Sequence, residues 1–318
     1  MGASNSSESK RFWLCPLYSF GAYSENVELD EGIQIESFSV LPGLSAYIQR
    51  QSHDLYGRWD DPSEYNGVVL LPYRAKDEGV SDPDELIRIG WEEGDRARDS
   101  LFDLVTSLRL CHKGEITAGP LISAAISNSQ WSFGGSTIWT LVSQRDFLHN
   151  EPKYVLQQSD VPNVNELVGN LAKLRQLEKL DAINIALRRF NSAYDGYIED
   201  RLIDQMIAFE SLYLEDTQEL TYKLALRVAF LLGKRGNKRK TIFDNMKAAY
   251  RYRSKIVHGG KQVSRKELRG IIAKTGDYLR QSIRRFLQLL SQGNSLKEIQ
   301  DKLDENILNN GRLLAFKE

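Results

Sequence analysis

The chain has 318 residues, of which 41% are hydrophobic and 27% charged, with a formal net charge of −1. That balance argues against wholesale disorder, and no apolar run reaches the ~18 residues that a membrane-spanning helix needs. Two cysteines, Cys15 and Cys111, form no C-x-x-C and no cysteine–histidine cluster, so neither a disulfide scaffold nor a cysteine zinc site is expected.

A reducing, cytoplasmic setting without membrane association fits these features. The opening Met1-Gly2-Ala3-Ser4-Asn5-Ser6 matches an N-myristoylation pattern, but small polar leaders match it easily and it is set aside.

Residues 1–160 read as a mixed α+β domain. Short β-like runs lie at 37–41, 68–72, 121–127 and 136–143, with Gly, Pro and Asn between them. Ser81-Asp82-Pro83-Asp84-Glu85 carries a capping Asp, a Pro at the first helical position and acids in the first turn. The spacing predicts a helix from there to about Leu110, with Gly90 and Gly94 as candidate interruptions.

From Pro162 the pattern becomes helix after helix, an all-α bundle over 161–318. Leu167, Leu171, Leu174 and Leu177 recur at three and four, as do Ile198, Leu202, Met206, Phe209 and Tyr213. The stretch 219–232 is apolar almost all round, with Lys223 and Arg227 as its polar strip, which predicts a central helix. A helix over 240–258 is stopped by Gly259-Gly260, residues suited to a left-handed C-terminal position. Ser264 can cap the next helix, and Gly293-Asn294-Ser295 precedes a last one on Leu296, Ile299, Leu303 and Ile307.

Charge divides along the same line. Residues 1–160 hold 13 Lys and Arg against 24 Asp and Glu, a net of −11, whereas 161–318 is +10. Within 233–274, 14 basic residues face only Asp244 and Glu267. Such asymmetry points to a polyanion partner, although a solvated helix face or docking of the acidic half on the basic half would also account for it.

Signatures of common chemistries are absent: no phosphate-binding loop, no G-x-G-x-x-G, no H-E-x-x-H and no nucleophile elbow. Gly134-Gly135 reads as a turn. His53, His112 and His149 show no metal-ligand spacing and read as surface or structural residues; no metal or cofactor is expected. What remains is Arg253-Ser254-Lys255-Ile256-Val257-His258, an R-x-x-x-x-H sequence ending a basic helix. Arg253 interrupts the apolar stripe of Ile242, Met246, Ala249 and Tyr250, so its guanidinium needs a carboxylate inside the fold or an anion in a groove. His258 follows about 140° round an ideal helix, so the two converge only if the last turn loosens or two chains build one site. Histidine can move protons near neutral pH, and arginine can hold a phosphate and stabilise growing negative charge. The pair suits attack of an RNA 2′-hydroxyl on the adjacent phosphorus without a metal. Taken alone the spacing recurs by chance, and the pattern by itself favours a C-terminal histidine cap beside a salt-bridged arginine.

Three blocks together resemble the Apea-like branch of the HEPN superfamily: DRLIDQMIAFESLY at 200–213, ELTYKLALRVAFLLG at 219–233 and AYRYRSKIVHGG at 249–260. The resemblance implies a HEPN-like four- or five-helix bundle over about 180–291, usually dimeric. In catalytically competent relatives the R-x-x-x-x-H residues of two subunits face a shared basic cleft and cut RNA. Carried over, Arg253 would bind phosphate and His258 would be the acid/base. Ser254 would be a supporting polar residue where nuclease members commonly have Asn, Asp or His. The resemblance also implies a place in antiphage defence or a toxin-type system. Lys238, Arg239, Lys247, Arg251 and Lys255 are read as contacts to single-stranded RNA. The acidic N-terminal domain would sense a trigger ligand or protein, or restrain the nuclease. The alternatives are a non-catalytic RNA- or nucleotide-binding bundle and a protein-interaction module.

Overall fold

The structure, a computed structural model, describes residues 10–54, 65–77, 79–137, 154–175, 181–194, 197–215, 220–234, 236–259 and 264–309. Its described residues form two compact units: an α+β unit through Gly169 and a helical unit from Asn170. No helix among them is long and apolar enough to cross a membrane.

The first unit contains β1 (Lys10–Tyr18), β2 (Phe20–Ala22), β3 (Asn26–Glu28), β4 (Gln34–Ser37), α1 (Leu44–Asp54), β5 (Tyr65–Pro72), α2 (Pro83–Cys111), β6 (Thr117–Ala118), β7 (Leu121–Ser127), β8 (Gln130–Thr137) and β9 (Tyr154–Leu156). The main sheet is antiparallel in the order β3-β4-β5-β1-β7-β8, with β6 extending the pairing of β1; β2 and β9 form a separate parallel pair. β1 is central although none of the β-like runs expected from the sequence covers it, and it holds Pro16, a residue that inner strands disfavour. The fold accommodates it by a change of partner. β7 pairs with β1 only as far as Leu14, β6 takes over at Leu17, and between them the Pro16 carbonyl accepts the Gly119 amide at 2.7 Å.

Three further expectations need correction. The run at 37–41 is not a strand: β4 ends at Ser37 and a short 3-10 turn follows at Phe38–Val40. The strand expected at 136–143 is β8, which begins earlier, at Gln130; residues 138–143 lie outside the described ones. α2 runs unbroken through Gly90 and Gly94, because its opening is well capped and its burial is strong. Asp82 accepts the Asp84 amide, Pro83 opens the first turn, and Gly94 lies against the Trp13 ring. On one side of the sheet, Leu44, Tyr47 and Ile48 of α1 pack with Leu14, Tyr18, Val68, Leu70 and Ile122.

The boundary also falls later than residue 160. α3 (Val161–Arg175) begins in the first unit because its early side chains bond there. Asn163 donates to the Cys111 sulfur at 3.3 Å, and Asn165 accepts the Asp30 amide at 3.2 Å. Just before it, Asp160 pairs with His112 at 2.7 Å. Of the other histidines read as structural, His149 and the side chain of His53 lie outside the described residues.

The helical unit comprises the rest of α3, then α4 (Asp181–Ser192), α5 (Ile198–Tyr213), α6 (Leu220–Leu232), α7 (Gly236–Val257), α8 (Arg265–Ser291) and α9 (Leu296–Leu308). Leu202, Met206, Phe209, Leu224, Val228, Leu279, Ile283 and Phe286 fill its core. Polar ties fix how the helices register. Tyr213 donates to Ser282 at 2.7 Å, Thr275 donates to Gln205 at 2.5 Å, and Gln300 donates to the Leu212 carbonyl at 2.9 Å. Arg227, expected on a polar strip, is instead 3% exposed. It donates to the Tyr213 carbonyl and grips Asp304 of α9, with Nε at 2.8 Å and Nη2 at 2.5 Å.

Candidate functional site

α7 carries every candidate site residue except His258, which follows its last turn, and its two faces separate them. Ile242, Met246 and Ala249 are buried, whereas Lys238, Lys240, Lys247, Arg251 and Lys255 are exposed. On helical geometry Lys247, Arg251, Lys255 and His258 fall within about 80° of one another, on the side opposite the buried arc. Lys240 is neutralised one turn on by Asp244 at 2.9 Å. Lys247, Arg251 and Lys255 have no ion pair among the described residues. The Lys247 ammonium lies 5.3 Å from the Phe243 ring and that of Lys255 5.7 Å from the Tyr252 ring, so aromatic faces support the cations.

Two of the expected contacts stand apart. Arg239 turns back on the fold: its Nε donates to the Gly233 carbonyl at 2.8 Å and its guanidinium lies 4.2 Å from the Phe230 ring. Lys238 is exposed but lies on the other side of the first turn from the Lys247 stripe.

Arg253 sits on the inner arc, half-buried, where α7 faces α5. Its charge acts on Glu210 of α5, and the Tyr250 hydroxyl donates to the same carboxylate. The Arg253 guanidinium lies 5.8 Å from the Tyr250 ring. Burial pushes the Glu210 carboxyl above the usual carboxylate range, against the opposing pull of Arg253 and Tyr250. The Tyr250 phenol is raised as well, by burial first and by the Glu210 charge second. Arg253 and Glu210 nevertheless form no ion pair or hydrogen bond with each other among the described residues. Arg253 Nε and Glu210 Oε1 are both shielded from solvent and neither has a hydrogen-bond partner, which costs their desolvation and leaves a donor and an acceptor to be met.

His258 lies one residue beyond α7, exposed, with its amide bonded to the Ser254 carbonyl at 3.0 Å. Gly259 follows in the left-handed region at φ +64°, as a helix stop requires; Gly260 lies outside the described residues. No hydrogen bond links Arg253 to His258 among the described residues. One chain therefore brings Arg253, Tyr250 and Glu210 together and leaves His258 on the outer stripe. Glu210 and Tyr250 were not among the residues singled out for chemistry. The only sequence signal for them was the demand of Arg253 for a carboxylate.

Among the described residues no group of three or more His, Cys, Asp or Glu could hold a metal ion. No family model matches the chain, and no curated protein or solved structure matches it either.

Proposed function

We propose that the helical unit is a HEPN-type endoribonuclease that cuts single-stranded RNA at a cleft shared by two copies of the chain, in a defence or toxin-type setting. The observation that carries this reading is the Arg253 guanidinium, held beside Glu210 and Tyr250 yet with its buried Nε unpaired, on the helix whose exposed stripe ends in His258. The separation of Arg253 from His258 on one helix supports two-chain assembly, in which one protomer's arginine meets its partner's histidine.

In the proposed reaction a histidine accepts the proton of the 2′-hydroxyl as its oxygen attacks phosphorus. Arginine stabilises the charge on the non-bridging oxygens. The P–O5′ bond breaks, and the departing 5′-oxygen takes a proton from an imidazolium, leaving a 2′,3′-cyclic phosphate. Lys247, Arg251 and Lys255 hold the backbone of the strand, and Ser254 supplies a hydroxyl beside Arg253. The acidic α+β unit would sense a trigger or restrain the bundle.

Glu210 favours a second reading, a bundle that binds RNA or nucleotides without cutting, because it already offsets the charge of Arg253. One assay separates the two. Cleavage of an unstructured RNA in EDTA should persist in wild type. It should fall about 10²–10⁴-fold in His258→Ala, with RNA binding retained. DNA of the same sequence should bind uncut, lacking the nucleophile. Cleavage of that DNA, a strict magnesium requirement, or an undiminished His258→Ala enzyme would defeat the nuclease reading.

A further inference from the structure

The outer stripe of α7 does not begin with a charge. Phe243, half-buried, lies about one turn before Lys247 and at the border of the same stripe. Against its ring, 5.5 Å away and at 81°, stands the ring of Tyr222 from α6. Tyr222 is 54% exposed, although it belongs to a helix whose neighbours Leu224, Ala225 and Val228 are buried. The Lys247 ammonium lies 5.3 Å from the centre of the same Phe243 ring. An edge-to-face contact fixes the Tyr222 ring at little further entropic loss, its remaining surface is open, and the Phe243 ring that braces it also meets a cation that has no ion pair among the described residues.

We propose that Tyr222, braced by Phe243, is a stacking platform for one unpaired base, with Lys247 on the adjoining phosphate. The subsite rests on the nucleic-acid reading above and extends it. Fifteen residues of helix separate Phe243 from His258, about 22 Å, so the stacked base lies several nucleotides from the bond that is cut. Every base has a π-face, so the platform selects single strands over duplexes and not one sequence over another.

The test is fluorescence anisotropy on the full chain. The probes are a 12-nucleotide unstructured single-stranded DNA and a DNA duplex of equal phosphate number. DNA makes the readout independent of cleavage. Tyr222→Ala should weaken single-strand binding by about 5- to 150-fold and leave duplex binding unchanged. Tyr222→Leu, which keeps an apolar contact with Phe243, should lose as much, and Tyr222→Phe should bind as wild type does. Lys247→Ala should weaken both probes. The platform is overturned if wild type fails to bind the single strand, if Tyr222→Ala or Tyr222→Leu binds it undiminished, or if both probes weaken equally. Tyr222-dependent binding by a chain that never cuts RNA would uphold the platform and remove the nuclease reading alone.

Discussion

Arg253 occupies a helix face that Ile242, Met246 and Ala249 turn toward the core, so a charge there depends on what α5 offers. Glu210 offers a carboxylate that is itself half-buried, and burial raises it above its ordinary range. The fold thus favours the protonated carboxyl. That contribution to stability is complete below the ordinary carboxylate range and is lost as pH rises through the raised value. Glu210→Gln, neutral throughout, should gain stability relative to wild type over that same rise. Thermal melts of both proteins from about pH 3 to 8 check this, and a difference that does not vary with pH would sink it. The need of Arg253 for a partner was legible in its spacing; which partner was not, since Glu210 lies on another helix and reaches it only through the α5–α7 packing.

At the scale of elements, caps and breaks were the most legible features because they are local. Asp82 and Ser264 cap the helices whose starts they mark, and Gly293 stands at φ +86° after α8. Periodicity was less informative where a helix is buried on several sides. Arg227 sits on the expected polar strip of α6, yet the docking of α9 closes that strip and turns its guanidinium into a bridge to the Tyr213 carbonyl and Asp304. Arg227→Met should therefore destabilise the chain by about 1–3 kcal/mol. The lower part of that range is expected, because the Asp304 side chain is 45% exposed and can regain water. The urea midpoint measures it, and a loss under about 0.5 kcal/mol would mean that the bridge does not fasten α9.

For the whole molecule, the −11 and +10 halves of the sequence correspond approximately to the α+β unit and the helical unit. A cationic stripe facing a polyanion acts through displaced counterions, so affinity for a single strand should fall with salt. Replacing Lys247, Arg251 or Lys255 by alanine should reduce the slope of log K against log salt by about 0.7 each. An unchanged slope would remove that residue from the contact. The proposed shared cleft makes a separate prediction. Light scattering should give twice the 36.3 kDa chain mass, and mixing inactive Arg253→Ala with inactive His258→Ala should restore cleavage in heterodimers. A monomer with full activity, or no restoration on mixing, would refute the shared site.

The sequence by itself determined the α+β start, the helical remainder, the principal helix caps and the basic helix that carries Arg253 and leads into His258. Each follows from contacts within a few residues: side-chain period, capping and local charge. Only the tertiary structure decided that Pro16 lies in the central strand, that Arg227 is buried, and that Glu210 and Tyr250 attend Arg253 while His258 stays outside. Those outcomes depend on which surfaces meet across long stretches of chain. Helical or strand period gives the direction of a side chain from its own axis, and it carries no information on what the facing element places opposite.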